Sequence, residues 1–219
     1  MNHLLNVLVL ITILLSGISA RAGFDKGNGG DVLVCSAFSG GMAPATVHLV
    51  DELEGSVEWQ LGGYRFAATL EDRIQVLAQH LPKLAERMLI EWHWVTQHLQ
   101  FVSGVQLVDL DDDQLYWQPA HCSRQQVAIQ NTSTVLIDTA LWQQMTREGQ
   151  AMLISHEILY RILDRDRTLG PLANSKPVRF LNALLWSTDL EQKDLSGLSK
   201  TFANWHTYVW AFSEPKGPR

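Results

Sequence analysis

Ala151–Leu163 reads AMLISHEILYRIL, and apolar side chains surround nearly the whole circumference of the helix it would form. A helix with no face to give to solvent belongs in the middle of a domain, with other elements packed round it. The pattern predicts this central buried helix over 148–165, beside a shorter helical segment over 139–147, the two meeting around Gly149. A third helix opens near Ser175, carries Pro177 in its first turn, and runs to about Trp186.

Upstream, Leu70, Ile74, Leu77, Leu81, Leu84, Met88, Trp92, Val95 and Leu99 recur at steps of three and four, which predicts a long helix near 70–99. Thr69 with Asp72 fits a capping box, and Glu71 and Asp72 put negative charge at the positive end of the helix dipole. Pro82 removes a hydrogen-bond donor inside that pattern and predicts a kink or break near residue 81. The sequence GNGGD, Gly27–Asp31, leads into a buried strand ending at Cys35; Gly40 and Gly41 make a turn, and Thr46–Val50 alternates as a partner strand. Val105–Leu110 and Val127–Gln130 read as further short strands, with an acidic loop and a His121–Cys122 turn between them. The tail, with Phe202, Trp205, Tyr208, Trp210 and Phe212, suits helix or strand. The expected class is α+β, a small and mostly antiparallel sheet packed with several helices.

The chain has 219 residues, 46% hydrophobic and 18% charged, with a mean hydropathy of −0.03, the composition of a packed protein and not of a disordered or fibrous one. Its net charge of −6 and the lack of any Lys or Arg cluster exclude nucleic acid as a partner, since that needs a basic stripe to displace counterions.

Leu4–Leu15 is apolar but for Asn6 and Thr12, too short to span a bilayer comfortably, and Ser16, Gly17 and Ser19 follow at once. This is the pattern of a secretory signal peptide over 1–22, which leaves 23–219 as one globular domain without a transmembrane segment. Cleavage after Ala22 pairs it with Ala20 as the small residues a peptidase requires; cleavage after Ala20 and an uncleaved anchor are the alternatives. The leader holds Arg21 and no acid, so its removal makes the mature chain more negative by one charge. Cys35 and Cys122 are the two cysteines, and an even pair in an exported protein reads as a disulfide, with two buried free thiols as the alternative. Such a bridge stabilises by roughly 4 to 5 kcal/mol through the entropy it removes from the unfolded chain.

His156 and Glu157 resemble the first half of the zincin motif, in which two histidines four residues apart hold zinc and the Glu activates its water. Tyr160 stands where the second histidine belongs, so zinc at His156 would depend on remote donors such as His48, His121 or His206. Under that reading His156 is a metal ligand, Glu157 is catalytic, and Tyr160 is a phenolate ligand or transition-state donor. Under the structural reading, His156 shares a face with Met152, Leu159, Tyr160 and Leu163 and points into the core, while Glu157 pairs with Arg161 along the helix. The tyrosine tips the balance to the structural reading.

In their order, GNGGD before a strand ending in Cys35, VHLVDE at Val47–Glu52, a second cysteine before QQVAI, HEILYR and SKPVR resemble a family of exported bacterial proteins of unknown function. The resemblance spans most of the mature chain and implies no activity, substrate or cofactor. It directs attention to His156, Glu157, Tyr160, Arg161, Ser175 and Arg179. Arg161 and Arg179 are suited to fork onto carboxylates, with Glu157, Asp164 and Asp31 available, and so to form a buried polar network or, with Ser175, an anion pocket.

Other signals fail on detail. Asp109–Asp113 begins like a calcium loop but has Gln114 where the turn needs Gly and Ala120 where a bidentate Glu belongs. GNGGD lacks the Lys and Ser or Thr of a phosphate loop and precedes a strand. Trp92 belongs to the core stripe of its helix; Trp94 and His98, four apart, lie off that stripe. No serine nucleophile elbow is present. The expected function is that of an exported periplasmic or secreted protein of the cell envelope, binding or structural, with an unidentified envelope or extracellular partner. A divergent zincin-like metallohydrolase using His156 and Glu157 is the alternative, and zinc enters only there.

Overall fold

In the computed structural model, residues 30–36, 45–65, 67–107, 118–165, 174–192 and 194–198 are described. Strands β1 (Asp31–Cys35) and β2 (Thr46–Leu49) lead into α1 (Val50–Val57). Helices α2 (Leu70–His80) and α3 (Pro82–His98) run into β3 (Leu99–Val102). Strands β4 (Cys122–Gln126), β5 (Ala128–Gln130) and β6 (Val135–Asp138) follow, then α4 (Thr139–Gln144), α5 (Arg147–Arg165), α6 (Lys176–Trp186) and α7 (Asp189–Gln192). The class is α+β.

The strands make two small sheets where one was expected. The first has the order β2-β1-β4 with both pairings antiparallel; the second has the order β3-β6-β5, with β3 parallel to β6 and β5 antiparallel to it. Val127 lies between them: its N–H donates to Gly30 O at 3.0 Å beside the first sheet, and its carbonyl accepts from Asp138 N at 2.9 Å in the second.

Local chemistry sets the helix boundaries. Thr69 Oγ1 accepts from Asp72 N at 3.1 Å while Thr69 N donates to Asp72 Oδ2 at 2.8 Å, so the capping box closes as expected. Leu81, at φ −134° and ψ 67°, leaves helical geometry just before Pro82, which becomes the first residue of α3. Asp138 caps α4 through Ala140 N at 2.8 Å and Leu141 N at 3.0 Å. Arg73 reaches from α2 to the far end of α6, donating to Leu185 O at 2.7 Å and Ser187 O at 2.8 Å, and so satisfies carbonyls that the helix end leaves open.

Helix α5 is the central element: Met152, Leu153 and every residue from Ser155 to Leu163 are buried. It packs against α3 and α6, and the inner face of the first sheet supplies Val32, Val47 and Leu49 to the same cluster, which extends to Leu198. On the outer face, Leu33 and Cys122 form a small separate cluster with Val50.

Two expectations about strands are corrected. Cys122–Gln126, expected as a turn and loop, is a strand, because β1 has a second edge to pair and backbone bonds are indifferent to the polar composition of CSRQQ. Of the strand expected over Val105–Leu110, residues 105–107 are not strand and 108–110 lie outside the described residues; the neighbouring strand is Leu99–Val102, where the apolar repeat of α3 continues. The expected leader over 1–22, the acidic stretch Asp109–Asp113, Asp166–Leu172 and the aromatic tail lie outside the described residues.

Candidate functional site

The polar residues of α5 meet partners from α1, α6 and both sheets. His156 Nδ1 lies 2.8 Å from Oδ2 of Asp51, in the first turn of α1, with the two side chains 1% and 0% exposed. Asn182 of α6 donates to the same Asp51 oxygen at 2.7 Å and to Met152 O at 2.9 Å. Its own carbonyl accepts from Ser155 Oγ at 2.6 Å, and Ser155 Oγ accepts in turn from Trp186 Nε1 at 2.9 Å. A continuous buried chain therefore runs from Trp186 through Ser155, Asn182 and Asp51 to His156, and locks α1, α5 and α6 together.

Burial alone would lower the His156 pKa, but the Asp51 carboxylate, by charge and by hydrogen bond, with Glu157 adding to it, overcomes that and raises it to about 9. A ring with that value holds its second proton at neutral pH, facing Asp51. His156 Nε2 and Asp51 Oδ1 have no hydrogen-bond partner among the described residues.

Glu157 faces the sheets. Its Oε1 accepts from Gly30 N at 2.9 Å and its Oε2 from Gln130 Nε2 at 3.0 Å, and the residue is fully buried. Burial raises its pKa against the opposing pull of His156 and these two donors. A Cβ at Gly30 would come within 2.2 Å of Leu153 Cδ1, so the backbone reaches Glu157 because residue 30 has no side chain.

The expected pairing of Glu157 with Arg161 is thus corrected: Arg161 donates from Nε to Glu91 of α3 at 2.6 Å, with its guanidinium over the Trp94 ring, 3.0 Å from the centroid. Arg87 shares Glu91 at 2.6 Å. His98 stacks on Trp94 with centroids 4.1 Å apart. Arg179 lies elsewhere, between α1 and α6, where Nε donates to Glu54 Oε2 at 2.6 Å and Nη1 to Ser175 Oγ. Burial raises the Glu54 pKa to about 7, although Arg179 opposes it. The structure thus brings Ser175 and Arg179 together and sets Arg161 apart; neither arginine uses Glu157. Tyr160 is a 4% exposed member of the main apolar cluster.

A protein zinc site takes about three donors round one point. Among the described residues, no group of three His, Cys, Asp or Glu donors within 4.8 Å of one another includes His156; the group that meets this test is Cys35, His121 and Cys122. His48 lies in β2, 3.7 Å from Glu52, and His206 is outside the described residues.

Asp51, Glu54, Glu91, Gln130 and Asn182 complete these networks and were not singled out in the sequence. Asn182 carried a signal, being the lone polar residue in FLNALLW, Phe180–Trp186. Asp51 carried a misleading one, because an acid in a first helical turn ordinarily serves the dipole at the surface. Cys35 and Cys122 form the expected disulfide. No helix among the described residues is long and apolar enough to cross a membrane. Comparison with protein-family models, with curated proteins and with solved structures finds no match.

Proposed function

We infer that this chain is an exported protein of the cell envelope whose role is binding or structural, and that the HEILYR helix serves the fold. The observation that carries the reading is the sealing of His156 and Glu157. One is 1% exposed and the other 0%; His156 spends its Nδ1, and Glu157 both carboxylate oxygens, on this chain's own residues. A metallohydrolase needs instead an open coordination position and a solvent path to it. The Cys35–Cys122 bridge and the leader pattern over 1–22 support export, because disulfides persist in oxidising compartments. The resemblance to exported bacterial proteins belongs to the same proposal.

The test is the metal content and mass of untagged protein recovered from an envelope or culture-fluid fraction, beside His156→Ala. A mature mass that starts at Gly23 or Arg21, no stoichiometric metal, and a variant changed only in stability are the expected results. Stoichiometric zinc that disappears in His156→Ala would overturn the non-catalytic reading, and a full-length cytoplasmic chain would overturn export.

A further inference from the structure

Cys35 and Cys122 face each other directly across β1 and β4, with Cα atoms 4.0 Å apart. Ser36 N donates to His121 O at 3.0 Å, so the next pair along the ladder is hydrogen-bonded and the cysteine pair is a non-hydrogen-bonded one, the kind whose side chains lie closest. The backbone bonds that register β1 against β4 are separate from the sulfur bridge. His121 stands outside the strand in a turn closed by Cys122 N to Pro119 O at 3.0 Å. One of its ring nitrogens lies within 4.8 Å of both sulfurs. The sulfurs sit on the sheet face turned away from the main core; Cys122 is buried, while Cys35 is half-buried and His121 exposed, so reductant and ion approach from the Cys35 and His121 side.

We propose that this corner is a redox-gated site for a thiophilic d10 cation of the zinc type, held by the thiolates of Cys35 and Cys122 and the imidazole of His121. In the oxidised chain the sulfurs are committed to each other. A dithiol reductant supplies two electrons and two protons by thiol–disulfide exchange, becomes a disulfide itself, and leaves two thiols here. Binding the ion then releases both thiol protons, since only the thiolate is a ligand. Two sulfurs and one nitrogen with a fourth position open to solvent is an established zinc arrangement. The site is separate from His156, so its failure would leave the reading of the HEILYR helix untouched.

The test uses the full mature chain, oxidised and dithiol-reduced under argon, titrated with Zn(II) against a chromophoric chelator and with Co(II) as a spectroscopic reporter of thiolate ligation. Reduced protein is expected to take one ion per chain, with proton release and a thiolate-to-cobalt charge-transfer band; oxidised protein is expected to take none. His121→Ala should weaken binding by about tenfold or more, the scale on which even outer partners of a metal act. The double variant Cys35→Ser, Cys122→Ser, checked for its fold by circular dichroism, should abolish binding. Failure of the reduced chain to bind, equal binding by the oxidised chain or by His121→Ala, or binding that survives in the double variant would each overturn the proposal.

Discussion

His156 and Asp51, 105 residues apart in the chain, meet at 2.8 Å in the space between α5 and α1, both withdrawn from solvent. The contact turns a histidine that resembles a metal ligand into half of a buried ion pair. Breaking one partner of such a pair leaves an uncompensated charge in a dry interior and costs about 3 to 5 kcal/mol, more than a packing change of similar volume.

Asp51→Ala is accordingly expected to lower the unfolding free energy in urea by about 3 to 5 kcal/mol. Loss of less than about 1 kcal/mol would mean that the pair contributes little, as exposed pairs do.

The pair also sets a pH dependence. His156 goes from an ordinary value of 6.5 to about 9 on folding, so its contribution is fully present below pH 6.5 and is lost as pH rises through 9. Glu54, raised from 4.5 to about 7, and Glu157, also raised, act in the same direction because the folded chain again holds the proton more tightly. Thermal stability is expected to decline from about pH 5 to pH 9, with His156 accounting for at most about 3 kcal/mol. His156→Gln should flatten the part above pH 6.5. A Tm that rises over that interval would contradict the assignment.

Gly55 gives a test of the α1–α6 contact. In an ordinary helix interior Gly→Ala stabilises by about 1 kcal/mol. Here the new Cβ would stand 2.0 Å from Tyr64 Oη and 2.8 Å from Ala183 Cβ, and Tyr64 donates to Glu52 O at 2.8 Å. Gly55→Ala is therefore expected to destabilise by about 1 to 3 kcal/mol. A gain in Tm would show that the two helices lie farther apart.

The Cys35–Cys122 bridge closes a sequence separation of 87 residues. Its reduction is expected to lower the urea midpoint by the equivalent of about 2 to 5 kcal/mol. Coincident unfolding curves for oxidised and reduced protein would place the bridge among those that constrain nothing the native strands do not already constrain.

What the sequence showed and what it hid divide along one line. Helix periodicity, the Thr69 capping box, the break at Pro82 and the buried circumference of Ala151–Leu163 depend on near neighbours in the chain, and each was legible. The cysteine pairing was legible because only two cysteines exist. Partner choice was not: Glu157 has an arginine four residues away and takes instead the Gly30 amide and Gln130, because α5 turns that face to the sheets. Glu91 and Glu54, which hold Arg161 and Arg179, lie on helices whose packing on α5 and α6 no local pattern specifies. Strand β4 was missed for the same reason, since its polar residues pair with β1 through backbone groups that every sequence has.

The imidazole itself offers the most direct test. Nitrogen-15 and proton NMR of His156 in the intact chain, followed from pH 5 to 10, reads its charge, its tautomer and any ligand on either ring nitrogen. The expected result is a doubly protonated ring, slow to exchange with solvent, that loses its proton only near pH 9. A ring that titrates near 6.5, exchanges freely, or carries the shift of a metal-bound nitrogen would contradict the reading of this helix as a sealed structural element.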